Sequence, residues 1–254
     1  MSIVFIGDVH QRWDLVAAGL AALPAPPLAA VLLGDMQCDR PLDALTAPLR
    51  AAGIALYWIF GNHDADGGPE MWANLTDPAR NPATAAGALH GRVAEIGGLR
   101  IAGLGGTFRP RIWDPPEPPR LHGRDALDAD LRSLGAHWPE DHRASLAASL
   151  GGLAIWPEDV ARLAALRADI LVTHEAPSAH PAGKAPLEAL ARAMGAGLIV
   201  HGHHHTTYRA RSADGLEAQG VASAAGVGQD GVVLWTGEPE RHLGRLSRGW
   251  TLLM

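Results

Sequence analysis

Ile3-Val4-Phe5-Ile6-Gly7-Asp8-Val9-His10 is the stretch that decides the fold. Four apolar residues run without a polar break and stop at Gly7, and a carboxylate and an imidazole follow at once. A short continuous apolar run bounded by turn formers reads as a strand covered on both faces. The pattern recurs at Ala30 to Leu33, Ile54 to Phe60, Leu99 to Leu104, Ile170 to Thr173 and Leu198 to Val200, most of these runs ending near Gly, Asn, Asp or His.

Between some of these runs, apolar residues fall at three- and four-residue spacing. Trp13 to Leu23, Pro41 to Ala52 and Pro186 to Met194 are expected helices. Strand, helix, strand in succession implies parallel pairing and an α/β layered fold. The C-terminal third reads differently. Leu216 to Ser223 and Gly231 to Trp235 suggest two antiparallel strands around a Gly-rich turn, and Trp250 to Leu253 a further strand. Residues 107–160 are the least regular part and are expected to form an insertion or lid, with helices at Asp125 to Leu134 and Pro157 to Leu166.

The bulk properties exclude several classes. Of 254 residues, 47% are hydrophobic and 19% charged, as in an ordinary globule with a sizeable core. A net charge of −6 gives no bulk attraction for nucleic acid. Cys38 is the only cysteine, so no intrachain disulfide forms, and with no leader-like start the expected location is cytoplasmic. No apolar run approaches the ~20 residues of a membrane span. The anomaly is 13 histidines, clustered at motif-like places.

Five elements carry chemistry: Asp8-Val9-His10, Gly34-Asp35, Gly61-Asn62-His63-Asp64, Thr173-His174 and Gly202-His203-His204-His205. Each follows an expected strand, and in open α/β sheets ligands sit just beyond the carboxyl ends of strands. Carboxylate, imidazole and amide oxygen suit Mn, Fe, Zn and similar ions. If the segments are extended, residues two apart point the same way, pairing Asp8 with His10 and His203 with His205, and turning His204 aside.

These motifs, complete and in order, resemble those of the calcineurin-like metallophosphoesterase family. The resemblance spans residues 8 to 205. It implies one domain over 1–254, built as a four-layer αββα sandwich of two mixed sheets flanked by helices. It also implies two divalent ions, of Mn, Fe, Zn, Ni or Co. One would be held by Asp8, His10, Asp35 and His205, the other by Asp35, Asn62, His174 and His203. His63 would face the leaving group, and Asp64 would orient His63 through a hydrogen bond to its ring. The family often has Gly after its first motif, where this chain has Gln11. Protein Ser/Thr phosphatases carry a spaced Asp-Arg-Gly and a Glu in the third motif; Asp39-Arg40-Pro41 and Asp64 depart from both.

Two divalent ions against Asp8 and Asp35 leave positive charge facing an anionic ester, and a bridging hydroxide would attack it. The expected reaction is hydrolysis of a phosphomonoester or phosphodiester of a small molecule or nucleotide. A nuclease is the second reading, resting on Arg109, Arg111 and Trp113 as a phosphate- or base-binding cluster. A non-catalytic scaffold ranks last, because His63 and every ligand are present. Arg109 and Arg111 are the candidate substrate contacts.

Overall fold

The computed structural model describes residues 2–140, 143 and 150–253. Two mixed sheets lie face to face. The first comprises β1 (Ile3–Ile6), β2 (Ala29–Leu32) and β3 (Ala55–Trp58), mutually parallel, with β10 (Gly226–Gly228) and β11 (Val233–Trp235) antiparallel beside β1. In the second, β5 (Leu99–Leu104), β6 (Ile170–Thr173), β7 (Leu198–His201) and β9 (Glu217–Gly220) run parallel. They are flanked by antiparallel β4 (Arg92–Ile96) on one side and by β8 (Tyr208–Ser212) and β12 (Trp250–Leu252) on the other.

Alternation within the apolar runs builds the layers. Ile3 and Phe5 join Val31, Ile59, Val172 and Val200 in the core between the sheets. Val4 and Ile6 face the other way, onto α1 (Trp13–Ala21), α2 (Leu42–Leu45), α3 (Ala47–Ala51) and α4 (Pro69–Thr76) through Val16, Leu42, Leu49 and Leu75. Ala102, Leu171 and Ile199 turn outward onto α6 (Pro157–Ala164) and α7 (Pro186–Met194) through Leu163, Leu187 and Met194. The result is the expected helix, sheet, sheet, helix order.

The stretch between β5 and β6 carries α5 (Asp125–Leu134) and its own small core of Ile112, Leu127, Leu131 and Trp156. Its two ends meet where Thr107 bridges Ala154.

The C-terminal expectation needs correction. Leu216 to Ser223 and Gly231 to Trp235 do not pair with each other: β9 lies in the second sheet and β11 in the first. The chain crosses between sheets at Val221 to Ala225, where the Ser223 hydroxyl donates to the Asp8 carbonyl at 2.8 Å. The helix expected over Pro41 to Ala52 is split at Thr46, because Pro48 has no N–H to continue the ladder. No helix among the described residues is long and apolar enough to cross a membrane.

Candidate metal centre

Every motif sits beyond the carboxyl end of its strand: Asp8 and His10 after β1, Asp35 after β2, Asn62 and His63 after β3, His174 after β6, and His203 and His205 after β7. The backbone there is unusual. His10, Asp35, His203 and His205 have φ of 43°, 51°, 67° and 53°, in the left-handed region that non-glycine residues rarely enter. Gln11, where the family often has Gly, takes φ 63°. The extended path supposed for Asp8-Val9-His10 and for the histidine run is therefore absent. Tight turns aim these rings instead, and His203 and His205 point to different groups.

Asp8, His10 and His205 each offer a ligand atom, all within 4.8 Å of one another, and Asp35, His174 and His203 do the same. In the first group, His10 Nε2 lies 3.1 Å from His205 Nε2 and 3.8 Å from Asp35 Oδ2. His10 Nδ1–H donates to Gln37 Oε1 at 2.9 Å, which leaves Nε2 for the centre. In the second, His174 Nδ1–H donates to the Leu33 carbonyl at 2.8 Å. Its Nε2 then faces Asn62 Oδ1 at 3.0 Å and Asp35 Oδ2 at 3.3 Å.

Glycine makes this closeness achievable. A Cβ on Gly61 would lie 2.1 Å from Asp35 Oδ1, and one on Gly202 2.7 Å from Asp8 Oδ2. Asp8 accepts the His203 N–H through both oxygens at 2.9 Å, which ties the first strand loop to the last.

Electrostatics agree with a site built for cations. Burial pushes the Asp8 carboxyl up to about 6, opposed by His174. Burial opposes ionisation of Asp35 too, but His174 and two hydrogen bonds hold it well below the usual carboxylate range. Burial works against charge on His174, yet Asp35 outweighs it and drives that imidazole up to about 10. His203 is pushed down to about 3, by burial and then by His174. Oxygen acceptors and ring nitrogens thus converge on points that a proton or a cation must satisfy. Two carboxylates, four imidazoles and one amide fit divalent first-row ions.

One expectation fails. Asp64 does not bond the His63 ring. Fully buried, it accepts three backbone N–H groups, from Gly61 at 2.8 Å, Gln37 at 2.8 Å and Asp35 at 3.0 Å. It therefore fastens the Asp35 loop to the Asn62 loop. The ring bond belongs to Asp66, whose Oδ2 lies 2.5 Å from His63 Nδ1. The His63 backbone N–H donates to Asp35 Oδ1 at 2.8 Å while its ring, 46% exposed, stands 5.7 Å from that of His10.

Other side chains find places too. Arg111 pairs with Asp130 at 2.7 Å, and Trp113 packs edge-on against Phe108, so the Arg109, Arg111 and Trp113 cluster is largely engaged within its own segment. Arg109 has no carboxylate partner among the described residues and its Nε is buried without a hydrogen bond. His201 is a buried structural residue, bonded to Tyr208 Oη at 2.8 Å. His204 stacks on His180 at 3.9 Å and lies 3.5 Å from Glu175, which with His203 forms a third close group. Gln37, Asp66 and Glu175 were not legible as site residues; only proximity to a motif pointed to them.

The model of the family described as calcineurin-like phosphoesterase matches residues 1–207. An uncharacterized protein of Haemophilus influenzae is 34% identical over 219 residues, 83% of this chain and 86% of that protein. Among solved structures, a dimetal phosphatase from Danio rerio aligns with a TM-score of 0.53 at 14% identity, covering 89% of this chain and 91% of that one. The Thermus thermophilus protein TT1561 gives 0.51 at 12%, covering 89% and 93%. At such identities the two structures show the shared fold alone.

Proposed function

The chain belongs to the calcineurin-like phosphoesterase family, and on that premise we propose that it is a hydrolase using two divalent ions to cleave a phosphomonoester or phosphodiester of a small molecule or nucleotide. The observation that carries this reading is the convergence of seven donor residues from five loops into two adjoining groups. Asp8, His10, Asp35 and His205 would hold one ion; Asp35, Asn62, His174 and His203 the other, with Asp35 between them. Bound ions would supply Lewis acidity and lower the pKa of water from ~15.7 toward neutrality.

The chain's own groups do the rest. Asp64 anchors the backbone that sets Asp35 and Asn62 in register. The His63 main chain holds Asp35 while its side chain reaches outward. With Nδ1–H donated to Asp66, the free Nε2 is the atom that would carry a proton to the departing oxygen, a contribution of ~10²–10⁴-fold.

Manganese-stimulated hydrolysis of a chromogenic phosphomonoester and diester tests the reading. His63→Ala is expected to lose at least about a hundredfold in kcat with metal content unchanged. A fully active variant would remove His63 from the leaving-group role, and an inert wild type across several metals would remove the hydrolase.

A further inference from the structure

Glu175 and His204 belong to neither of the two groups proposed to hold the ions. With His203 they form a third, in which each residue offers a ligand atom within 4.8 Å of the others. β6 and β7 are parallel neighbours, so Glu175, directly after His174, meets the turn that follows β7. Glu175 is only 5% exposed. Its carbonyl accepts the Thr173 hydroxyl at 2.7 Å, and its Oε1 accepts the Ala176 N–H at 3.1 Å, which fixes both ends of the residue. Among the described residues it pairs with no lysine or arginine, and the His204 ring is its one ion-pair partner.

A buried carboxylate needs a compensating charge. His204 does not supply it as a well-made pair. Its Nε2 stands 3.5 Å from Glu175 Oε1, is shut off from solvent and makes no hydrogen bond, whereas an imidazolium–carboxylate bond closes to about 2.7–2.9 Å. His180 holds the ring in place, lying parallel to it within 9° at 3.9 Å between centroids. The separation suits an ion instead. Zinc holds nitrogen and oxygen ligands at about 2.0–2.2 Å, so two corners of its tetrahedron lie about 3.3–3.6 Å apart. Two imidazoles and one carboxylate are a zinc-type set, richer in nitrogen than manganese prefers.

His203 is common to this group and to the one with Asp35 and His174. Its ring lies 5.0 Å from that of His174 and 4.7 Å from that of His204. A neutral imidazole presents one lone pair, so His203 serves one ion at a time. We propose that Glu175, His204 and His203 form a zinc site, and that zinc bound there inhibits the enzyme by drawing His203 away from the second ion. The inhibition rests on the phosphoesterase reading; the zinc site does not.

The test loads the full chain with manganese and adds zinc by equilibrium dialysis, with manganese kept in excess. Wild type, Glu175→Gln and His204→Phe are compared once melting and manganese content show them folded and loaded. His204→Phe keeps a flat ring against His180 while removing the nitrogen. Zinc affinity is expected to fall about tenfold or more in each variant. The zinc concentration that halves each protein's own manganese-supported hydrolysis of p-nitrophenyl phosphate or bis(p-nitrophenyl) phosphate should rise by the same factor. Should one variant fail to fold, the other decides. Equal zinc affinity in wild type and the folded variants overturns the site, since zinc would then only be replacing manganese in the main centre. Zinc that binds with the expected variant dependence but leaves hydrolysis unchanged overturns the inhibition. A wild type that hydrolyses neither ester overturns the phosphoesterase reading alone, because the dialysis still decides the site.

Discussion

Two aspartates, Asp64 and Asp66, stand two positions apart and do opposite work. Asp64 is buried, and the three N–H bonds it accepts stitch two loops of the candidate centre together. Asp66 is 53% exposed and bonds the His63 ring. Asp64→Asn turns an amide NH2 toward backbone donors and leaves bonds unmade, so it is expected to cost about 2–3 kcal/mol of stability and to loosen metal binding. Asp66→Asn is expected to leave stability and metal content unchanged while lowering kcat about tenfold and altering the pH–rate profile, since a neutral partner cannot fix the ring in the same way. Urea melts and steady-state kinetics separate the two; the reverse pattern would return the orienting role to Asp64. The sequence alone could not choose between them, because the choice depends on which backbone N–H groups the turn after Asn62 brings together. The convergence of the candidate donors was legible, since carboxylate and imidazole gathered at strand ends in such numbers point to one shared rim. The left-handed turns that aim them were not, because His, Asp and Gln rarely adopt them.

Elements were readable where burial is continuous. Runs buried on both faces gave β1, β2, β3, β5, β6 and β7 within a residue or two. β4 and β8, at or near the sheet edge, mix Arg and Glu or Ser with apolar residues and were not recognised. Neither was α4, whose start is set by Gly68 and Pro69 after the His63 loop. Within the segment between β5 and β6, ion pairs that no periodicity reveals tie the start of α5 to α6, and His90 joins them from the body. Asp159 at the start of α6, fully buried, receives Arg124 from before α5 and Arg162 at 2.7 Å, and lies 3.3 Å from His90. Burial opposes its charge, but His90 and Arg124 bring its carboxyl down to about 2. A folded-state pKa below the unfolded ~3.9 stabilises above about pH 4, and that contribution is lost as pH falls toward 2. Asp159→Ala is therefore expected to cost about 2 kcal/mol at neutral pH. The gap from wild type should close between pH 4 and pH 2 in metal-free urea titrations. A gap that persists at pH 2 would show that the loss is one of packing rather than charge.

At the scale of the molecule, the two-sheet sandwich is a device for aiming loops. Parallel strands in both sheets end at one rim, so residues from Asp8 to His205 meet there although nearly two hundred positions separate them. The hydrophobic pattern made the layers legible, and the resemblance supplied their pairing. The return of residues 236–241 to the rim was not legible, because the stretch has no periodicity and is held by scattered contacts: main-chain bonds of Glu238 and Arg241 and the carboxylates of Glu238 and Glu240. At this rim Asp35 is proposed to stand between a pair of ions. The most direct measurement is the metal stoichiometry of chelator-stripped protein, reloaded with manganese, desalted and analysed by mass spectrometry, for wild type and Asp35→Asn. Two ions per chain in the wild type, falling to one or fewer in the variant, is the predicted result. A wild type that never exceeds one ion per chain, or a variant that still retains two, would contradict it.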